Sequence, residues 1–156
     1  MVMLEAQAIH GPATAAPPLP ADRPGEPPLL LLVDDDSMVG RFIGHAAEEC
    51  GCHAIRTSCV ESFRQAFHKR RPDIVVVDLC ISNHDGIEVI RQLAEEEFGG
   101  RVIIVSGLAR RVLDAALRLG TALGLRMADP LSKPFRVEEL AERLGLPGAA
   151  APAVAS

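Results

Sequence analysis

Four apolar stretches of this chain end on side chains that can handle a phosphoryl group or a divalent cation. Leu30-Leu31-Leu32-Val33 runs into Asp34-Asp35-Asp36, and Val75-Val76-Val77 runs into Asp78. Ile103-Ile104-Val105 ends on Ser106-Gly107, and a later stretch closes on Ser132-Lys133-Pro134-Phe135. Carboxylates can ligate a hard cation or attack phosphorus, while an amine and a hydroxyl can neutralise or hydrogen-bond phosphoryl oxygens. Short apolar runs bounded by turn signals read as buried parallel strands. In an open parallel sheet the carboxyl ends of the strands form the ligand crevice. The pattern therefore predicts that acid, acid, hydroxyl and amine share one crevice.

The elements that must position them alternate strand and helix five times. Strand one is Leu29–Val33, and Ser37 is placed to N-cap a helix with apolar positions Met38, Val39, Phe42, Ile43, Ala46, Ala47 and Cys50, stopped by Gly51. A weak second strand falls at His53–Arg56, and helix two turns Val60, Phe63, Ala66 and Phe67 inward. Pro72 ends that stretch, Ile74–Val77 is strand three, and a helix after Gly86 buries Ile87, Ile90 and Leu93. Strand four is Val102–Val105, a long helix covers about Ala109 to Leu123, and strand five lies near Leu125–Leu131. The last helix, from Arg136, buries Val137, Leu140 and Leu144. Strict alternation predicts an α/β fold, a doubly wound five-stranded parallel sheet with helices on both faces.

Composition narrows the function classes. The 156 residues allow one domain with a single core, built from Leu, Val, Ile and Ala because there are five Phe and no Tyr or Trp. A net charge of −5 argues against a nucleic-acid surface, which needs clustered Lys and Arg. The single basic run, Lys69-Arg70-Arg71, reads as a solvated loop. Cys50, Cys52, Cys59 and Cys80 contain no C-x-x-C, so zinc is not expected, and Cys50 and Cys80 fall on apolar faces. Residues 1–28 hold seven of the twelve prolines and read as a disordered extension, as does the Ala/Pro-rich tail 147–156. With no secretory signal and no run of membrane-spanning length, the reading is a soluble, cytoplasmic domain over 29–146.

The four motifs, in this order, resemble the receiver domain of two-component response regulators, over about Leu29 to Leu146. The resemblance implies a flavodoxin-like strand order 2-1-3-4-5, which the handled periodicities alone do not supply. It implies Asp78 as phosphoacceptor, helped by Ser106 and Lys133, with Mg²⁺ as cofactor. Asp35 and Asp78 would be direct ligands, Asp34 would act through water, and the backbone carbonyl of Cys80 would complete the set. Asp36 matches no ligand of the family and reads as an acid at a helix N-terminus. Asp85-Gly86 keeps the family's spacing for the turn into helix three. Lys133-Pro134 keeps the family's dipeptide, in which the bond is cis. Cys80 and Leu108 occupy the two variable positions that orient the hydrolytic water in receivers.

Two positions depart from the pattern: Ser82 stands where the family has Pro, and Pro130 where it has Tyr or Phe. The stretch from Ser106 to Lys133 is also several residues longer than usual. The implied partners are a sensor histidine kinase or histidine phosphotransfer protein and a downstream protein, with a homodimer allowed and no direct nucleic-acid or membrane contact. The leading reading is a stand-alone receiver, a switch or shuttle rather than an enzyme. A second is a phosphorylation-independent docking module. A third is a haloacid-dehalogenase-like phosphatase built on Asp34-x-Asp36, which would need Glu138, Glu139 or Glu142 as its further acid.

Overall fold

The computed structural model describes residues 25–81 and 84–146. The expected extension up to residue 24, the tail 147–156 and Ser82 lie outside the described residues. In chain order the elements are β1 (Leu29–Val33), α1 (Ser37–Glu49), β2 (His53–Thr57), α2 (Val60–Lys69), β3 (Ile74–Asp78), β4 (Cys80–Ile81), β5 (His84–Asp85), α3 (Gly86–Glu95), β6 (Arg101–Ser106), α4 (Arg110–Ala122), β7 (Arg126–Met127), β8 (Leu131–Ser132) and α5 (Val137–Leu144). The main sheet runs β2-β1-β3-β6-β7, and β8 also pairs with β6. Every pairing in it is parallel. This is the expected doubly wound order, with β6 in fourth place and β7 and β8 sharing the fifth.

Alternation along the central strands divides the core between the two faces. Leu31, Val33, Val75, Val77, Val102 and Ile104 pack against Val60, Phe63, Phe67, Ile90, Leu93 and Leu113, so α2, α3 and α4 cover one face. Leu30, Leu32, Ile74, Val76, Ile103 and Val105 pack against Ile43, Ala47, Leu140 and Leu144, so α1 and α5 cover the other. Because both faces are covered, the strands are apolar at every position, which is why they appear in the sequence as unbroken runs.

Strand five is the element that differs most from expectation. Arg126 and Met127 stand opposite Arg101 and Val102, but Leu131 and Ser132 stand opposite Val105 and Ser106. Four steps on one strand thus face three on the other, which is a bulge of one residue. Ala128 still donates to the Val102 carbonyl at 2.9 Å. Pro130, with no N–H, interrupts the ladder, and the Lys133 N–H resumes it by donating to the Ser106 carbonyl at 2.9 Å. A one-residue shift exchanges the faces that side chains point to, so the bulge sets the direction of Lys133.

Smaller corrections concern helix starts and exposed residues. Asp36, not Ser37, N-caps α1, accepting from the N–H groups of Met38 at 3.0 Å and Val39 at 3.2 Å. Met38 is 79% exposed and Phe42 39% exposed, so the buried stripe of α1 is Gly40, Ile43, Gly44, Ala46 and Ala47. Cys80 is exposed, against expectation, while Cys52 is the buried cysteine and burial pushes its thiol up to about 12. Within the basic run, Arg71 lies 5.0 Å from the centre of the Phe67 ring and Arg70 pairs with Glu26.

At the opposite end of the sheet from the acidic loops, Arg101 is almost wholly buried and its guanidinium donates to the Leu144 carbonyl at the end of α5. Gly145 turns there with φ +65°, and any Cβ at that position would collide with the guanidinium. Arg101→Met keeps much of the apolar stem but removes the bond to Leu144. We expect it to cost about 2 kcal/mol, the scale of a hydrogen bond from a charged donor. Urea unfolding checks this: the midpoint should fall with the slope unchanged, and an unchanged midpoint would show that the clamp contributes nothing.

Candidate phosphoryl and metal site

The register of β1 and β3 builds the site. Val33 stands opposite Val77, so the next residues, Asp34 and Asp78, leave adjacent strand ends side by side. Both are buried, while Asp35 is exposed. Carboxylate oxygens of Asp34, Asp35 and Asp78 all lie within 4.8 Å of one another. Lys133 reaches in from beyond β8, its Nζ 2.9 Å from Asp34 Oδ2 and 3.2 Å from Asp78 Oδ2. The Lys133-Pro134 bond is cis.

Backbone groups hold the carboxylates in place. Asp34 Oδ1 accepts the Asp36 N–H at 2.9 Å, and Asp78 Oδ1 accepts the Cys80 N–H at 3.1 Å. Thr57, at the end of β2, donates its hydroxyl to the Leu32 carbonyl at 2.6 Å, and its own carbonyl accepts the Asp34 N–H at 3.1 Å. Nothing in the sequence marks Thr57 for this role; it follows from β2 pairing with β1. Gly86 packs so closely on the Asp78-Leu79 backbone that a Cβ would collide with the Asp78 carbonyl oxygen. That close approach explains the glycine of Asp85-Gly86 better than turn propensity does.

The electrostatics follow from burial and crowding. Burial is the largest influence on Asp78 and pushes its carboxyl above the ordinary value. The Asp34 charge adds to the rise, while the Cys80 N–H and Lys133 oppose it without cancelling it. For Lys133, burial acts to lower the ammonium, but hydrogen bonds and charge from Asp34 and Asp78 outweigh it and hold it above its usual value. Lys133 is thus a fixed counter-ion bridging two strand ends.

Ser106 is fully buried at the end of β6, one residue beyond the pair Asp78–Val105. Its Oγ accepts the Leu108 N–H at 3.2 Å, and Ala109 is the N-cap of α4 with no side-chain bond. The hydroxyl therefore braces the β6–α4 turn rather than capping the helix. The glutamates needed by a dehalogenase-like site lie elsewhere. Glu139 accepts the Arg136 N–H at 2.9 Å, and Glu138 and Glu142 are exposed on α5.

Crowded carboxylate oxygens with one exposed member form a hard, oxygen-only donor set, which fits a Mg²⁺-type cation rather than a soft one. A lysine bridges two of them, and a buried serine ends the next strand. A profile of the response regulator receiver domain matches residues 30–145. The chain belongs to the response regulator receiver family. It is similar to the probable transcriptional regulatory protein TcrX of Mycobacterium tuberculosis, 28% identical over 77% of this chain and 49% of the relative. It is similar to the regulatory protein VirG of Agrobacterium fabrum, 31% identical over 84% of this chain and 50% of the relative. Among solved structures, the Francisella response regulator 1452 receiver domain superposes with a TM-score of 0.63 at 27% identity, covering 72% of this chain and 89% of that one. This receiver spans about half the length of those two regulatory relatives. Among the described residues no helix is long and apolar enough to cross a membrane.

Proposed function

We propose that this receiver takes a phosphoryl group from phosphohistidine of a sensor kinase or phosphotransfer protein onto Asp78, and signals through protein contacts. The observation that carries the reading is Lys133, which reaches both Asp34 and Asp78 beside a third carboxylate. An Asp78 oxygen attacks phosphorus in line, the P–N bond breaks as the new O–P bond forms, and the electron pair returns to the histidine ring. Asp35, Asp78 and the Cys80 carbonyl would hold Mg²⁺ directly, with Asp34 acting through water. Bound there, the ion supplies charge neutralisation for the phosphoryl oxygens. Lys133 supplies a second positive charge, and Ser106 donates its hydroxyl to a phosphoryl oxygen once it gives up the brace it now makes with the Leu108 N–H. The protein in this reading is no classical enzyme, since it gains and loses the phosphoryl on its own residue.

The reading is tested by incubating the protein with Mg²⁺ and phosphoramidate and weighing it intact. A gain of one phosphoryl mass supports it, and no gain at any donor concentration hands the function to the docking-module reading. One observation favours that second reading: buried Pro130 occupies the place of the aromatic that would pass a shape change outward. The metal has its own test. Mg²⁺ binding, followed by titration calorimetry, should collapse in Asp35→Ala and persist in Glu138→Ala with Glu139→Ala. Retained binding in the first protein would remove Asp35 from the ligand set.

A further inference from the structure

A cleft of about 450 Å³ opens between α1 and the β2–α2 turn, beside the phosphoryl site but outside its catalytic groups. Ser37 and Arg41 of α1 line it together with Arg56, Ser58, Ser62 and the acidic Asp34. Its volume falls in the range of roughly 300–1,000 Å³ typical of small-molecule sites. Its lining is cationic and hydroxylic.

Two arginines supply the positive charge of this cleft. Arg64, Arg70, Arg71, Arg110 and Arg143 each pair with a carboxylate. Among the described residues, Arg41 and Arg56 make no such pair, as is true also of Arg91, Arg111, Arg118, Arg126 and Arg136; what sets the two apart is that both line one cleft with three serines. Arg56 is also seated: a Cβ built on Gly44 would stand 3.1 Å from its Cδ and 3.8 Å from its Nε. The stem thus lies across α1 where the helix lacks a side chain, which brings its guanidinium to the cleft. The carboxylate of Asp34 is already engaged by Lys133 and the Asp36 N–H, which limits its repulsion of an incoming anion.

Two planar guanidiniums and three serines lining one cleft suit the tetrahedral oxygens of a phosphate. We propose that this cleft binds a phosphate-bearing small molecule, a ligand separate from the phosphoryl group carried by Asp78. Such a ligand places negative charge beside Asp34 and so couples to the affinity of the acidic cluster for its cation, reciprocally and by linkage.

The test uses the full chain in EDTA, titrated with inorganic phosphate and with AMP and followed by backbone amide NMR. Leaving out the divalent cation separates this site from phosphorylation of Asp78, so failure of one reading does not decide the other. We expect saturable shifts at Ser37–Arg41 and Arg56–Ser62, weakened roughly tenfold or more in Arg56→Gln, the scale of one lost charge-assisted hydrogen bond. Arg91→Gln, a surface control on α3, should bind as the wild type does. Tighter binding of AMP than of phosphate would identify a ligand with an organic end in the cleft, and equal binding a bare-anion site. Shifts confined to Ser106 and Lys133, no saturable shift with either probe, or unchanged binding in Arg56→Gln would overturn the proposal. Because Arg56 packs on α1, its variant is also checked for an unchanged amide spectrum away from the cleft. Arg41→Gln, at an exposed position of α1, gives a second reading should Arg56→Gln fail to fold.

Discussion

Asp78→Asn is expected to abolish the phosphoryl gain entirely while leaving the protein folded. The amide can still accept the Cys80 N–H that Asp78 Oδ1 now accepts at 3.1 Å, so the loop keeps its shape. What it lacks is a nucleophilic oxygen able to form an acyl phosphate. Intact mass after incubation with Mg²⁺ and phosphoramidate decides the matter: labelling of Asp78→Asn at the wild-type level would place the phosphoryl elsewhere. The same substitution carries a stability signature. Burial raises the Asp78 carboxyl, so the folded protein holds that proton more tightly than the unfolded chain does. In acid, below the unfolded carboxylate value of about 3.9, both states are protonated and the charge costs nothing. The cost sets in as pH rises past that value and is complete above the raised folded value. In EDTA, Asp78→Asn should therefore melt above the wild type at neutral pH, and the gap should close in acid. A mutant that melts lower at neutral pH would mean that the ion pair with Lys133 outweighs the burial.

The second large effect concerns the lifetime of the phosphorylated form. Hydrolysis of an acyl phosphate needs water held in line with phosphorus, and polar side chains that orient it speed the loss. At the two positions expected to do so, Cys80 offers a weakly hydrogen-bonding thiol and Leu108 offers no polar group. Both are exposed, Cys80 at the start of β4 and Leu108 two residues past β6, and the Leu108 N–H is tied to Ser106. A slow loss of phosphoryl is expected in the wild type. Leu108→Glu combined with Cys80→Asn should accelerate it by roughly a hundredfold, the lower end of what a positioned polar group contributes. Mass spectrometry over a time course reads both rates. Equal rates, or a wild type that loses its phosphoryl within seconds, would sink the argument.

Much of this molecule was legible in the residues because a doubly wound sheet leaves a plain record. Strands buried on both faces must be apolar throughout, so Leu29–Val33, Ile74–Val77 and Val102–Val105 show themselves without a partner. The groups that follow them, Asp34, Asp78 and Ser106, must then share an edge. Helix α2 was equally legible, since Phe63 and Phe67 recur at one turn and their polar neighbours do not. Other features depended on contacts distant in sequence. Met38 and Phe42 obey the helical period, but Met38 points to solvent and Phe42 meets the Phe135 ring at the rim, while the glycines Gly40 and Gly44 face the sheet. Thr57 serves the site only because β2 lies against β1. Strand five could not be delimited because its bulge is defined by register against β6, and register is a relation between strands, not a property of either. That bulge directs Lys133 to Asp34 and Asp78, 99 and 55 residues away. The sequence by itself determined which chemical groups stand at the strand ends. Only the tertiary structure decided the distances between them, because separate strand ends come together through packing of the whole sheet.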